Sequence, residues 1–303
     1  MTDLAALSRL SRTLGQVIEP IAGQVYFSPE CHANYVGLGF APSPGSSSAG
    51  VAMPEMDSYF TSRGSVMGQV PGEVVAATFA VFNPDIVVPA VTRGWKLTDA
   101  RSICAARDAG AIGQLERILG PSPDGVQRAR ELLQRTAGAL RPEGRPLYAG
   151  LLSQSTPATE LGATWRLGDM LREYRGDAHT ASWTSAGFEA TEIGLLSELY
   201  WGLPMRSYSR TRGWTNEQFD AAAERLAARG LVGDAALTDE GRRVREEIEL
   251  ATDLQMRAAV EALGDDCDEL FAILAPWADA VRAAHGYPAA GPQDLAEAAR
   301  RRP

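Results

Sequence analysis

The stretch GWTNEQFDAAAERLAARGLVGDAALTDEGRRVREEIELAT, residues 213–252, decides the fold. Thr215 suits the N-cap of a helix over Asn216 to Arg229, and Gly230 stops it. Leu231 to Leu237 then has the length for two very short strands around a turn at Gly233-Asp234. Thr238-Asp-Glu-Gly opens a further helix, predicted to run to about Leu263. The order is therefore helix, minimal hairpin, helix.

On both sides of this stretch the apolar residues keep helical spacing. Asp3 to Ile21 carries Leu4, Leu7, Leu10, Leu14, Val17, Ile18 and Ile21 on one stripe. Pro29-Glu30 starts a short helix over Cys31 to Leu38. Ala41 to Gly50, APSPGSSSAG, is a breaker-rich loop, either disordered or a flap over a site. Further helices are expected over Asp57 to Met67, Pro71 to Phe82 (ended by Asn83-Pro84), Thr98 to Leu119 (capped by Thr98) and Pro123 to Leu140. Trp95 and Lys96 read as a surface turn. The second half continues with Thr159 to Ser185, Phe188 to Trp201, a turn-rich connection over Leu203 to Gly213, and Asp265 to His285. No sustained period-two pattern occurs outside 231–238, so the fold is mostly α. The organisation expected is an N-terminal helical domain over 1–150, a second domain over 151–285 and a frayed tail over 286–303.

Composition sets the outer limits. The 303 residues are 45% apolar and 22% charged, enough apolar content to bury a core. No run approaches a membrane span, and Met1 to Ser11 lacks the basic-then-apolar order of a signal peptide, so a cytoplasmic location is expected. The net charge is −9 and the pI about 5.0, which works against broad affinity for phosphate backbones or anionic membranes. Lys96 is the only lysine, so arginine supplies the rest of the 29 basic residues. With so much Ala and Gly, that bias reflects coding composition and weakens any single arginine as a clue. Cys31, Cys104 and Cys267 have no metal spacing and no disulfide pattern, and are expected as buried thiols.

The 213–252 segment resembles half of a winged helix, with "LAARGLV", a minimal wing and "ALTDEG"; MarR-type regulators carry a comparable segment. VYFSPE (25–30), YFTSRGSVMGQVPGEVVAATFAVFNP (59–84) and LREYRGDAHTASW (171–183) occur in the order seen in the SalK-like, helix-turn-helix-related actinobacterial family. The resemblance spans roughly Leu14 to Ala284. It implies winged-helix-type units, proximity to secondary-metabolite genes and dimerisation through the last helices. The chain departs from that family at Tyr174, where His is usual, and at Ala178, where Gly is usual. A role resting on a second imidazole there does not carry over.

The expected recognition helix carries Glu217, Asp220 and Glu224, and the wing offers Asp234 and no basic residue. Phosphate contacts need Lys or Arg, so DNA is not expected as a partner. The richer element is Thr164 to Ser182. Arg172, Arg175 and His179 fall on one helix face, and Asp169, Glu173 and Asp177 on an adjacent one. Gly168 and Gly176 are expected to allow close approach. Buried, such charges demand pairing, either as a salt-bridge lock or as a pocket wall. In the pocket reading His179 is the general acid–base, oriented by Asp177 or Glu173, and Arg172 and Arg175 bind an anionic group. Asp57, Tyr59, Arg63 and Asn83 are candidates for the opposite wall.

Phosphate-binding loops, the H-E-x-x-H zinc motif and the G-x-S-x-G elbow are all missing, and three histidines leave little for a His-based metal site. No cofactor and no metal are expected. The function expected is a small-molecule pocket protein of secondary metabolism. An elimination, cyclisation, isomerisation or hydration by acid–base chemistry fits it best. The alternative is a ligand-responsive, MarR-like regulator that binds DNA.

Overall fold

The computed structural model describes residues 3–300, the side chains of 297–300 excepted. The chain is built from helices with one two-stranded hairpin. Local capping explains most of the starts. Asp3 accepts from the Ala6 N–H at the head of α1 (Leu4–Gly23), and Ser28 from the Cys31 N–H at the head of α2 (Pro29–Gly37). After a loop bridged at Ser46 and Ala52 come α3 (Met56–Gly64) and α4 (Gly72–Phe79).

Asn83-Pro84, expected to end a helix, begins one: α5 (Pro84–Leu97), with Asn83 accepting from the Asp85 N–H. Proline pre-set at a first helical position explains the inversion, because Asn before Pro serves equally as terminator and cap. Trp95 and Lys96 are thus the last turn of α5, and Thr98 closes it. Asp99, not Thr98, caps α6 (Ala100–Leu119). There follow α7 (Val126–Gly138), α8 (Pro146–Leu152), which periodicity did not disclose, and α9 (Glu160–Ser185) capped by Thr159.

The decisive stretch folds as read. After α10 (Ala190–Tyr200), Thr215 makes a capping box with Gln218 at the start of α11 (Asn216–Ala228). β1 (Val232–Gly233) pairs antiparallel with β2 (Ala236–Leu237), so the turn residues are Asp234 and Ala235, both at positive φ. That is the twist-matched hairpin turn, one residue beyond the expected place. The helix after it is not continuous to Leu263. It breaks at Met256 into α12 (Asp239–Gln255) and α13 (Arg257–Leu263), because Met256 leaves the helical ψ and turns its own buried side chain into the core. Then come α14 (Cys267–Ala283) and α15 (Pro292–Arg300). No helix is long and apolar enough to cross a membrane among the described residues. All three cysteines are buried and free.

The buried apolar residues form two clusters. One draws on α1 to α9 as far as Tyr174 and resumes at Met256 through α14. The other runs from Trp183 to Ile248 and is the core of the winged-helix unit, α10, α11, the hairpin and the start of α12. Helix α9 passes from one to the other and is buried along almost its whole length. Two elements tie the clusters together beside it. The Ala80 backbone (φ 49°, ψ −53°) makes a classic γ-turn after α4, with Val81 N–H donating to the Phe79 carbonyl. That bend aims residues 81–83 at 212–214. Asn83 N–H donates to the Arg212 carbonyl at 2.9 Å, Asn83 Nδ2 to the Gly213 carbonyl at 3.0 Å, and Trp214 Nε1 to the Val81 carbonyl at 2.8 Å. Gly213 sits at φ 78°, where a Cβ would lie 2.5 Å from Ile86, so the clamp admits no side chain there.

Close approach, expected at Gly168 and Gly176, occurs elsewhere. At both positions a Cβ would meet only ordinary contacts, beyond 3.5 Å, whereas at Gly110 it would lie 2.5 Å from the Cys31 Cα. Gly110 is thus the point where α6 touches the α2 backbone. Gly110→Ala is expected to cost about 3 kcal/mol, at the upper end of overpacking costs because the obstacle is backbone. Urea unfolding checks it: the midpoint should fall with the slope unchanged, and a midpoint equal to the parent's would show that the α2–α6 crossing yields.

Candidate functional site: the seam between the two clusters

A cavity of about 710 Å³ lies along the seam. Leu171 to Trp183 of α9 line it, with Arg12 to Glu19 of α1, the α4–α5 corner, α10, residues 208–214 and α12 around it. Residues 287–292 complete the wall. This segment, expected as frayed, is anchored: Tyr287 meets Phe27 edge-on at 5.5 Å and donates to Glu19 at 2.8 Å. His285 is bonded to the Ala49 carbonyl in the 41–50 loop at 2.9 Å.

The α9 charges are paired in a ladder. Asp169 meets Arg107 at 2.8 Å with both side chains essentially dry. Glu173 receives Arg63 (2.8 Å), Arg172 (2.7 Å) and the Tyr26 hydroxyl (2.9 Å). Burial pushes the Glu173 carboxyl up, but Arg63 and Arg172 outweigh it and hold it down at about 2. Arg172 also binds Glu19, and Arg175 reaches Glu249 at 3.1 Å and Asp253 at 3.5 Å. Asp253 itself collects Ser8, Ser11 and Arg12. Glu173 is therefore a permanently ionised anchor, and Arg172 and Arg175 spend their charge on carboxylates.

His179 and Asp177 lie at the margin of that ladder, His179 with its Nδ1 3.9 Å from Glu249. His179 is oriented from α12, not by Asp177 or Glu173. Its Nδ1 lies 3.1 Å from the Thr252 hydroxyl, which itself donates to the Ile248 carbonyl at 2.8 Å. Thr252 must then accept from Nδ1–H, which leaves Nε2 as a bare acceptor with no protein partner among the described residues. Burial lowers the imidazole to about 4; the nearby Glu249 opposes this, while Arg245 and Arg175 reinforce it. Among the described residues Asp177 accepts from the Tyr148 N–H alone, at 3.1 Å. Burial raises it to about 7, with the Glu173 charge adding and the Tyr148 bond subtracting. Near neutral pH the wall thus holds a neutral imidazole and a carboxyl close to half-protonated.

The other expected wall residues divide. Arg63 lines the cavity and stacks over Phe79 at 4.5 Å, while Tyr59 packs behind it, its hydroxyl 3.4 Å from Arg63. Asp57 is held away from the cavity by a bidentate pair with Arg93 at 2.7 Å. Asn83 contributes through the clamp on Arg212 and Gly213. Arg212 itself was missed, although residues 199–214, LYWGLPMRSYSRTRGW, concentrate aromatic and arginine residues in a turn-rich connection. Its guanidinium lies over Phe82 at 4.3 Å and Tyr208 at 4.9 Å, with a hydrogen bond to the Tyr208 hydroxyl. Trp183, a core residue of the winged-helix unit, also borders the cavity, and its buried Nε1–H has no partner among the described residues. Among the described residues no group of three His, Cys, Asp or Glu side chains is placed to hold a metal ion.

On the exposed winged-helix surface several arginines are paired, while Arg210 and Arg242 have no carboxylate partner among the described residues. Arg225 pairs with Glu189 and Glu192, Arg206 with Asp220, and Arg229 lies over Phe188 at 4.0 Å. Glu217, Glu224 and the Asp234 turn stay exposed.

The two titrating groups oppose each other. Asp177, raised above its ordinary 3.8, favours the fold below that value, and the advantage drains away as the pH rises through about 7. His179, lowered from 6.5, favours the fold above 6.5, and loses that advantage as the pH falls through about 4. Asp177→Asn, which keeps the acceptor for Tyr148, should therefore gain stability relative to the parent as pH climbs from about 4 to about 7. Melting temperatures across that range check it; a constant difference would mean that Asp177 ionises normally.

No curated protein and no solved structure matches the chain. A family described as helix-turn-helix matches residues 11–288, nearly the whole length of the chain. The chain belongs to this helix-turn-helix family.

Proposed function

We propose that the chain binds a small anionic metabolite in the seam cavity and acts on it by acid–base chemistry supplied by its own side chains. The observation that carries this reading is that two α9 groups lining the cavity keep a polar atom unpartnered among the described residues: the His179 imidazole its Nε2, and the Asp177 carboxyl one oxygen. Elsewhere along that wall every ionisable α9 group is neutralised. Asp177, raised to about 7, titrates near neutral pH, where His179, lowered to about 4, is a neutral imidazole able to accept a proton. His179 takes a proton at Nε2, and Asp177 delivers or returns one. An elimination, isomerisation, cyclisation or hydration needs no more than that. The likeness to the SalK-like family and its setting beside secondary-metabolite genes supports a metabolite as the substrate.

A second reading, a ligand-responsive DNA-binding regulator, is favoured by family membership itself. Against it stand the paired arginines of the winged-helix surface and the exposed acids of α11.

Two measurements divide these readings. Binding of labelled DNA from upstream of the gene, followed by anisotropy, should be absent or weak at low salt. Tight binding with a steep salt slope would hand the function to the regulator. Metabolites that raise the melting temperature should be turned over by the parent. Against these compounds His179→Ala and Asp177→Asn should lose about 10²–10⁴-fold in rate while still folding. Unaltered turnover in both variants would remove the acid–base assignment.

A further inference from the structure

The charge balance of the cavity wall identifies the part of the ligand it receives, granted the reading of the cavity as the ligand site. The lining arginines of α1, α3, α9, α12 and α14 each have a carboxylate partner: Arg12 with Asp253, Arg63 with Glu173, Arg175 with Glu249, Arg282 with Asp279. Arg172 has Glu19 and Arg245 has Glu249. Arg212 has none among the described residues. Its place is nonetheless fixed, by the clamp on its carbonyl and by stacking of its guanidinium on two rings. A guanidinium held in place over two rings, with its charge uncompensated at a cavity wall, is a receptor for a planar oxyanion.

The surroundings specify the rest of the molecule. Phe79, Phe82, Trp183, Trp201, Tyr208 and Trp214 line the cavity. Phe79 and Phe82 are 6.3 Å apart, and Trp201 meets Tyr208 edge-on at 5.6 Å. Ring walls of this kind receive another ring by stacking or edge contact. The geometry points to an aromatic carboxylic acid as the ligand class, its carboxylate on Arg212 and its ring among these aromatics. Arg212 is then the residue that sets specificity, and Asn83 is a positioning residue acting through it.

Calorimetry on the full chain tests this with 2-naphthoate, its neutral amide 2-naphthamide, and cyclohexanecarboxylate. Naphthoate should bind, and the amide should bind about 10- to 100-fold more weakly, the range expected for charge-assisted hydrogen bonds. Arg212→Gln should reduce naphthoate to the level of the amide. Arg212→Lys, which keeps the charge but not the fork, should fall between them and serves as the control if the Gln variant melts early. Equal affinity for acid and amide, or full naphthoate affinity in both variants, overturns the assignment. Binding of naphthamide or cyclohexanecarboxylate without naphthoate removes the aromatic-acid class and leaves the cavity as a ligand site. If none of the three binds, the ligand class fails; if the broader melting-temperature screen is silent as well, the cavity reading fails with it.

Discussion

The structure depends on the pairing of charges buried along α9. A carboxylate taken out of water is tolerated only where cations and donors replace the solvent it loses. Glu173 and, from α12, Glu249 and Asp253 meet this condition with arginines from different helices, and Asp169 meets it through one oxygen, paired with Arg107. The requirement is geometric as much as energetic. Glu173 can be dry only if α3 brings Arg63 and the 24–27 turn brings Tyr26 to within hydrogen-bond distance at once. Helix α9 therefore fixes the positions of α1, α3, α6 and α12 relative to one another, and an apolar helix in its place would leave their register free.

The same pairing explains why a cavity persists between the clusters. Apolar faces close on each other until water is gone, but a seam lined by guanidinium and carboxylate groups has no such drive, and its side chains are already held by their partners. The walls consequently keep their shape around about 710 Å³ of space. The clamp between residues 81–83 and 212–214 reinforces this from the other side. It also accounts for the strained γ-turn at Ala80, which places Phe79, Phe82 and Arg212 on one wall. Strain of that kind endures where surrounding bonds over-determine the backbone, as three hydrogen bonds do here.

Much of this was legible in the sequence, for local reasons. Thr215 and Thr238 announce their helices because capping is settled within four residues, and the hairpin follows from what little chain lies between them. Crowding of ionisable groups at Asp169 to His179 is likewise visible in one dimension, and it marks the element that the structure makes central. What failed was non-local. The partner of His179 is Thr252, on a helix 73 residues away, and no spacing rule selects it over Asp177 or Glu173. Asn83-Pro84 misled because a cap and a terminator share the same dipeptide. Arg212 was hidden by composition: in a chain with one lysine and abundant arginine, its lack of a carboxylate partner appears only once every other cavity arginine has been matched.

Family membership and surface chemistry pull in different directions, and their reconciliation lies in where the arginines go. A helix-turn-helix unit that reads DNA keeps cations free to meet phosphates. Here Arg225, Arg206 and Arg243 are consumed by neighbouring Glu and Asp on the outer face. The uncompensated Arg212 lies where the unit joins the helical body. The connection between α10 and α11, fifteen residues from Trp201 to Thr215, is longer than a helix-turn-helix turn and supplies Trp201, Tyr208, Arg212 and Trp214 to the cavity. In the function proposed above, that connection places the binding surface of the unit at its inner edge, with α10, α11 and the hairpin as the frame that holds it.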